Sequence, residues 1–512
     1  MRKKLTLLNS LAGVLNKTVS IAFVFLVRHF FTKYLSVEYL GLEGLFANIL
    51  GLFSLIDLGL GNAISFNLYE PLQNNNHKLV SSIMRLYRKL YVAIGIVVFA
   101  LSLIAMPFVP GMINGRSIPS NDVQLYFLIY ALGVAITYFF AYKRTLIFAL
   151  QKNYIVLNVD TIIKIVLSIT QILVLMKTSN YELYLGIVVI FNFIGNSIIS
   201  MLLKNTYALD YKSTNPLTSD FKNRLKEHIK ALAITNISWQ AINSTDNIII
   251  SYMVGIVDLA KNANYSTLTV SVNNIVSTVL GGVSASIGDL ITEGDNTKIK
   301  DYFYRYCFIS CIFASYVSLG IYFVTKPFVS LWVGEELLFP NLVVFVLAIN
   351  TLLITIFKPL GEYQNYSGCF VHYKKYGIIA MLINLTISIV LSRLWGIIGV
   401  FLGTTITYLF MIWAVSRILY QYLFKKTSIE FYKKIAVYLM PLFFSYVIIS
   451  FLLARSNIYG DWIIEIVVKF LIVSFVYFGI LFLLLYRNAE CRYFRDYIRT
   501  IIRSLNEQKK IK

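Results

Sequence analysis

The sequence predicts an all-α integral membrane protein of about fourteen transmembrane helices: two six-helix lobes related by a pseudo-repeat, plus two C-terminal helices. Three observations carry that expectation. The 512 residues are 58% hydrophobic with a mean hydropathy of +0.70, well above a soluble globular chain. Apolar runs of about 20 residues, each able to cross a ~30 Å hydrocarbon layer, recur along the whole length. The basic residues are sorted between alternate loops.

The runs fall at 8–32, 41–67, 87–109, 123–148, 154–176, 183–203, 229–252, 265–288, 303–325, 340–361, 374–392, 396–420, 434–454 and 462–486. An even number puts both termini on one side. Of the 46 Lys and Arg residues, 35 then fall in the loops or run ends on the termini's side and 7 opposite, with Lys17, Arg28, Lys164 and Lys469 assigned to neither side, inside runs. That asymmetry places both ends in the cytoplasm of a multi-pass cell-membrane protein. The net charge of +21 is therefore topological. It predicts attraction to anionic membrane lipids and no nucleic-acid partner. The opening MRKK leads into a long run without a small-residue cleavage site, so the first helix is expected to be retained.

Division into lobes follows from the loops. The longest, 204–228, is polar and basic (YKSTNPLTSDFKNRLKEH) and sits after the sixth run. The expected organisation is a lobe over 1–210, a cytoplasmic linker over 211–228, a second lobe over 229–425, helices 13 and 14 over 426–486, and a tail over 487–512. Each lobe opens with a polar helix, a short acidic outer turn (Glu38 and Asp258) and a Gly- and Asn-rich helix, as in transporters of parallel repeats.

Charges inside the runs are the informative residues, because an ionised group in a membrane helix costs about 2.5–3.5 kcal/mol even on lenient scales. Lys17 and Arg28 are eleven residues apart, close to three turns, and share a face of the first helix. Asp57 on the second helix lies at about the depth of Lys17 and can pair with it. Asp160 and Lys164 are one turn apart on the fifth helix, with Lys164 level with Lys17. The seventh run (ALAITNISWQAINSTDNIIISYM) is too polar to face lipid: Asn236, Gln240, Asn243, Ser244 and Asp246 need water or protein partners. The eighth adds Asn273 and Asn274, which favours a wet cavity wall over a buried hydrogen-bond network. Pro107, Pro110 and Pro359 mark helix ends or hinges, and Glu465 and Lys469 pair or snorkel. The tail reads as a basic amphipathic helix, with Tyr493, Phe494, Tyr497, Ile498, Ile501, Ile502 and Leu505 on one face, lying in the inner membrane interface.

The four cysteines (Cys307, Cys311, Cys369 and Cys491) and four histidines form no ligand cluster, so neither a metal nor a cofactor is expected. A membrane polymerase, ligase or glycosyltransferase would carry a large outer loop or a carboxylate pair near the surface. Here the outer loops are brief, and the expectation is a non-enzyme.

EYLGLEGLFANILGLFSLIDLGLGNAIS, residues 38–65, resembles the first repeat of Wzx-type polysaccharide flippases, and TDNIIISYMVGIVDLAKNANY, residues 245–265, resembles the opening of their second. Those flippases share a superfamily with MurJ-like lipid II flippases and MATE exporters. The resemblance covers about residues 1–425. It implies a MATE/MurJ-like fold and a polyprenyl-diphosphate-linked oligosaccharide as cargo, bound for capsule, O-antigen or exopolysaccharide, with polysaccharide polymerase machinery as a candidate partner. A diphosphate needs cations, and the candidates are Lys17, Arg28 and Lys164. Asp57 and Asp160 are expected to hold the lysines when the site is empty. Arg28 and Asp246, at similar outer depths, are expected to pair as a gate. Polar cavity candidates are Asn236, Gln240, Asn243, Asn273 and Asn274. The competing expectations are a MATE-like small-molecule exporter and a MurJ-like lipid II flippase.

Overall fold

A computed structural model of the chain describes residues 2–54, 67–68, 71–115, 117–207, 217, 219, 244–284, 287–293, 295–455, 461–496 and 499. Among them the regular structure is helical throughout, with no strand. In order these are α1 (Arg2–Tyr34), α2 (Val37–Phe53), α3 (His77–Ala105), α4 (Ser120–Ala149), α5 (Asn153–Thr178), α6 (Tyr181–Thr206), α7 (Ile256–Ser284), α8 (Ile287–Glu293), α9 (Asn296–Val333), α10 (Asn341–Tyr366), α11 (Phe370–Trp395), α12 (Ile397–Tyr422), α13 (Ile429–Arg455) and α14 (Trp462–Leu485). Eleven of the described helices are long and apolar enough to cross a membrane. The chain is a multi-pass membrane protein. Of the remaining expected spans, residues 55–66 of the second and 229–243 of the seventh lie outside the described set. The eighth is the 29-residue α7, whose Asn262, Asn264, Asn273 and Asn274 make it polar for a lipid-facing helix.

Several helices run past the ends that hydropathy set. α3 starts at His77, where the Asn76 side chain caps it by accepting from Leu79 N at 3.0 Å. α10 continues through Pro359 to Tyr366, so that proline is inside a helix rather than at its end. Lys143, Arg144 and Lys358, sorted with the loop cations although they fall within the runs 123–148 and 340–361, are helical residues of α4 and α10.

The chain divides into two compact units, Met1–Ala263 and Asn264–Lys512. Most of the expected linker, 211–228, lies outside the described residues. In the first unit α1 runs along α5, while α4 packs on α3 and α6. Two asparagines set the register of α1 on α5. Asn9 donates to Gln151 O at 2.9 Å and accepts from Tyr154 N at 2.7 Å, and Asn16 donates to Thr161 Oγ1 at 3.0 Å. Arg144 ties three helices: its Nη atoms reach both oxygens of Asp160 on α5 at 2.8 Å and its Nε reaches Asn196 on α6 at 2.9 Å. An apolar core around Tyr87, Tyr91, Tyr138 and Tyr142 fills one end of the unit. A second, around Phe31, Leu40, Tyr181 and Tyr184, fills the other.

In the second unit the 38-residue α9 packs against α10, α13 and α14. Leu319, Phe323, Ile449, Val473 and Tyr477 form that seam. Tyr477 Oη donates to Ile312 O at 2.9 Å, and the Tyr316 and Ser474 hydroxyls meet at 2.8 Å. Glu465 and Lys469 pair at 2.5 Å as expected. α11 and α12 approach so closely that a Cβ on Gly403 would sit 2.2 Å from Ser388 Oγ and 2.8 Å from Ser388 N.

Beyond α14, exposed Tyr493 and half-buried Phe494 each make a ring contact with another helix. The Arg305 guanidinium lies 3.7 Å from the Tyr493 ring centroid, and Phe494 stacks on Phe308 of α9. Buried Glu490 accepts from Lys434 at 2.7 Å. Burial opposes its ionisation, but hydrogen bonds from Lys434, its own backbone N–H and Tyr438, with the Lys434 charge, together hold the carboxyl below the usual glutamate range. The described part of the tail thus contacts helices of its own unit, while Tyr497, Ile498, Ile501, Ile502 and Leu505 lie outside the described residues.

Gly403→Val should lower the thermal midpoint of the detergent-solubilised protein, at a cost of about 1–3 kcal/mol from overpacking. Gly479→Val, where a Cβ meets nothing within 4 Å, should not. Equal shifts for the two would contradict the close α11–α12 contact. Likewise, Arg144→Asp and Asp160→Arg should each destabilise, by about 1–2 kcal/mol given that both side chains are about one-third exposed. The double swap should recover part of the loss in the same melting assay, and an additive double mutant would count against the pair.

Candidate functional site

A short hairpin builds the site in the first unit. α1 ends at Tyr34 and α2 starts at Val37, so residues equally far from that turn stand opposite each other. Arg28 and Glu43 are such residues, each about 9 Å along its helix from the turn. Arg28 Nη1 lies 3.5 Å from Glu43 Oε2, with side-chain exposures of 16% and 28%. The other acid of α2, Glu38, is committed to the loop before α4. It accepts from Ser117 N at 2.9 Å and from Ser117 Oγ at 2.8 Å. At the start of α2, Gly41 permits close packing, since a Cβ there would come 2.5 Å from the Ile256 carbonyl oxygen.

Lys164 belongs to the same cluster. It is partly buried on α5, and the charges acting on it are those of Glu43 and Arg28. The same two charges act on Tyr130 of α4 and on Tyr181 and Tyr184 of α6. Above them is an aromatic pack: Tyr181 lies 4.7 Å from Tyr39 and 5.0 Å from Tyr126 between ring centroids, and Phe31 meets Tyr184 edge-on at 5.2 Å. Such packing excludes water and strengthens the electrostatics beneath it.

Lys17 is half-buried on α1, next to Asn16. The contact of Asn16 with Thr161 brings residue 17 to roughly the depth of residue 164, because α1 and α5 are in parallel register through Asn9 and Asn16. Lys17, Lys164 and Arg28 therefore form a series of cations along one unit, with Arg28 closest to the α1–α2 turn.

Two expected pairings are replaced. Asp160 does not hold Lys164. It is held by Arg144 through two 2.8 Å bonds, because the planar guanidinium matches a carboxylate better than a neighbouring ammonium does. Arg28 pairs with Glu43 and not with Asp246, because the tight hairpin puts Glu43 within reach first. Asp246 is half-buried in the helical stretch 244–249. Asp57, Asn236, Gln240 and Asn243 lie outside the described residues.

In the second unit, Asn273 and Asn274 are on α7. Asn273 Oδ1 accepts from Thr355 Oγ1 at 3.4 Å, while exposed Asn274 accepts at its carbonyl oxygen from Thr278 Oγ1 at 2.8 Å. Lys358 of α10 joins them, donating to Ser277 Oγ at 2.7 Å and to the Asn273 carbonyl at 3.4 Å. Glu43, Arg144 and Lys358 are the charges that sequence reasoning counted with the turns and loops, although the runs 41–67, 123–148 and 340–361 contain them. The apolar runs TLIFAL after Arg144 and LLITIF before Lys358 were the signal that both charges lie within helices.

No protein-family model matches the chain, and no curated protein does. Solved structures match its fold. The chain is similar to a lipid II flippase MurJ in an inward closed conformation, with a TM-score of 0.67 and 15% identity, covering 96% of this chain and 100% of that one. It is similar to an inward-facing multidrug resistance MATE family transporter of the MOP superfamily, with a TM-score of 0.60 and 12% identity over 79% of this chain and 98% of that one. A MOP superfamily transporter from Pyrococcus furiosus Vc1 matches with a TM-score of 0.55 and 13% identity over 83% of this chain and 97% of that one. The chain has the all-helical fold shared by MurJ and the MATE transporters of the MOP superfamily.

Proposed function

We propose that the protein is a flippase that moves polyprenyl-diphosphate-linked oligosaccharide repeat units from the inner to the outer leaflet of the cytoplasmic membrane by alternating access. The product feeds capsule, O-antigen or exopolysaccharide assembly. The observation that carries the reading is the cation series of the first unit, Lys17, Lys164 and Arg28, in which a single described carboxylate, Glu43, acts on the latter two. Cations inside membrane helices are costly unless they serve an anion, and a diphosphate is an anion that must cross. A carrier of cationic small molecules needs the reverse balance of charge.

Two further features support a lipid-linked cargo. The match to the lipid II flippase spans 96% of the chain against 79% for the MATE transporter, so it includes the α13–α14 end. At that end an apolar groove of about 400 Å³ opens between α9, α10 and α13, lined by Leu319, Tyr322, Phe345, Leu352, Leu442 and Tyr446 among others. A polyprenyl tail fits such a surface while the head crosses through polar surroundings. With both termini in the cytoplasm, moving about two negative charges outward across 100 mV releases about 4.6 kcal/mol. The voltage alone is then a sufficient drive. Lipid II, which also carries a diphosphate, is the alternative cargo on the same grounds.

Deleting the gene should cause the lipid-linked repeat unit to accumulate on the inner leaflet, and the intact gene should clear it. Accumulation of lipid II instead would transfer the function to that cargo, and accumulation of neither would overturn the reading. Within that assay Lys17→Ala should abolish export at normal protein abundance and Lys17→Arg should retain part of it. Wild-type export by Lys17→Ala would remove Lys17 from the site.

A further inference from the structure

The two arginine–carboxylate pairs of the first unit are built differently. Arg144 grips Asp160 through two bonds of 2.8 Å and is braced by Asn196. Those are the lengths of full charge-assisted hydrogen bonds. Arg28 meets Glu43 through one contact of 3.5 Å, at the edge of hydrogen-bonding distance. The first pair is a structural tie, and the second is loose enough to exchange. Glu43 is also the carboxylate whose charge acts on Lys164, Tyr130, Tyr181 and Tyr184 alike.

We propose that Glu43 is a resident counter-anion: it occupies Arg28 in the empty carrier, yields it to the substrate's diphosphate, and reclaims it as the diphosphate leaves. The inference rests on the diphosphate-site reading above. The charge balance explains the need for such a residue. Arg28 and Lys164 together carry two positive charges, and an isolated pair of that kind would bind a dianion too well to release it. Glu43 lowers the empty site to one positive charge. With the dianion present the site holds one net negative charge, which favours departure. The position suits release rather than loading, since Arg28 and Glu43 flank the α1–α2 turn, the outer end of the hairpin in the proposed topology. Arg28 from α1 meets Glu43 at 3.5 Å, and Lys164 from α5, Tyr130 from α4 and Tyr181 and Tyr184 from α6 lie within range of its charge. From α7 the residues nearest its neighbour Gly44 are the apolar Leu259 and Ala263.

The test is inorganic pyrophosphate binding to the full-length protein in nanodiscs, by calorimetry, with thermal midpoints to establish that each variant is folded. Glu43→Gln removes the charge and keeps the shape. It should bind pyrophosphate roughly tenfold more tightly than the wild type, the effect of removing one like charge from a partly wet site. It should also release pyrophosphate correspondingly more slowly in stopped-flow displacement. Glu43→Asp, which keeps the charge, should stay close to the wild type. Unchanged or weaker binding by Glu43→Gln, with Arg28→Gln and Lys164→Gln still abolishing it, would overturn the displacement proposal alone. Binding that survives Arg28→Gln and Lys164→Gln would overturn the diphosphate site itself. No binding by either the wild type or Glu43→Gln would overturn both.

Discussion

The constraint that organises this molecule is that a charge carried into a membrane must be matched there. Two ion pairs of the first unit meet it in two ways. Arg144 is matched permanently, by two short bonds to Asp160 and one to Asn196, and so locks α4, α5 and α6 together. Arg28 is matched at 3.5 Å by Glu43, with Lys164 inside the same field. The rigid pair holds the frame against which a loose pair can exchange partners. The asparagine ties of α1 to α5 then bring Lys17 to the depth of Lys164. A single unit thus combines a fixed scaffold with cations at successive depths.

In the proposed function the second unit has a different task. Its Lys358 is turned toward the hydroxyl of Ser277 and the carbonyl of Asn273. Its main investment is apolar: α13 and α14 seal against α9 and leave a groove lined by Leu319, Phe345 and Leu442. A headgroup with two charges and a tail of hydrocarbon require such a division of labour. Polar recognition belongs among helices rich in charge, and the tail belongs where lipid-like surface persists.

The fold was legible in hydropathy because the membrane demands about 20 apolar residues at each crossing, and helices such as α4, α12 and α14 satisfy that plainly. Helix ends were less legible. The capped start of α3 at Asn76 and the passage of α10 through Pro359 depend on hydrogen bonds and packing that window averages do not see. For the site, residue identity was legible and pairing was not. Lys164, Arg28 and Asp160 stood out as charges in apolar runs, yet their partners came from the hairpin turn and from α4, which depth along single helices cannot reveal. Glu43 was hidden because it reads as part of an outer turn, and Arg144 because it sits near a helix end.

The most direct measurement compares flipping of one oligosaccharide on two anchors, polyprenyl diphosphate and a neutral polyprenyl ether, by the purified protein in proteoliposomes. Exposure of the glycan to a membrane-impermeant oxidant reports crossing. If the cation series carries the charge, the diphosphate-linked form crosses quickly, speeds up when a potassium gradient with valinomycin makes the destination side positive, and stalls when Arg28 and Lys164 are both neutralised. The neutral form should cross no faster than in protein-free vesicles. Equal rates for the two anchors, insensitive to voltage and to those substitutions, would contradict the claim that this unit exists to move a diphosphate.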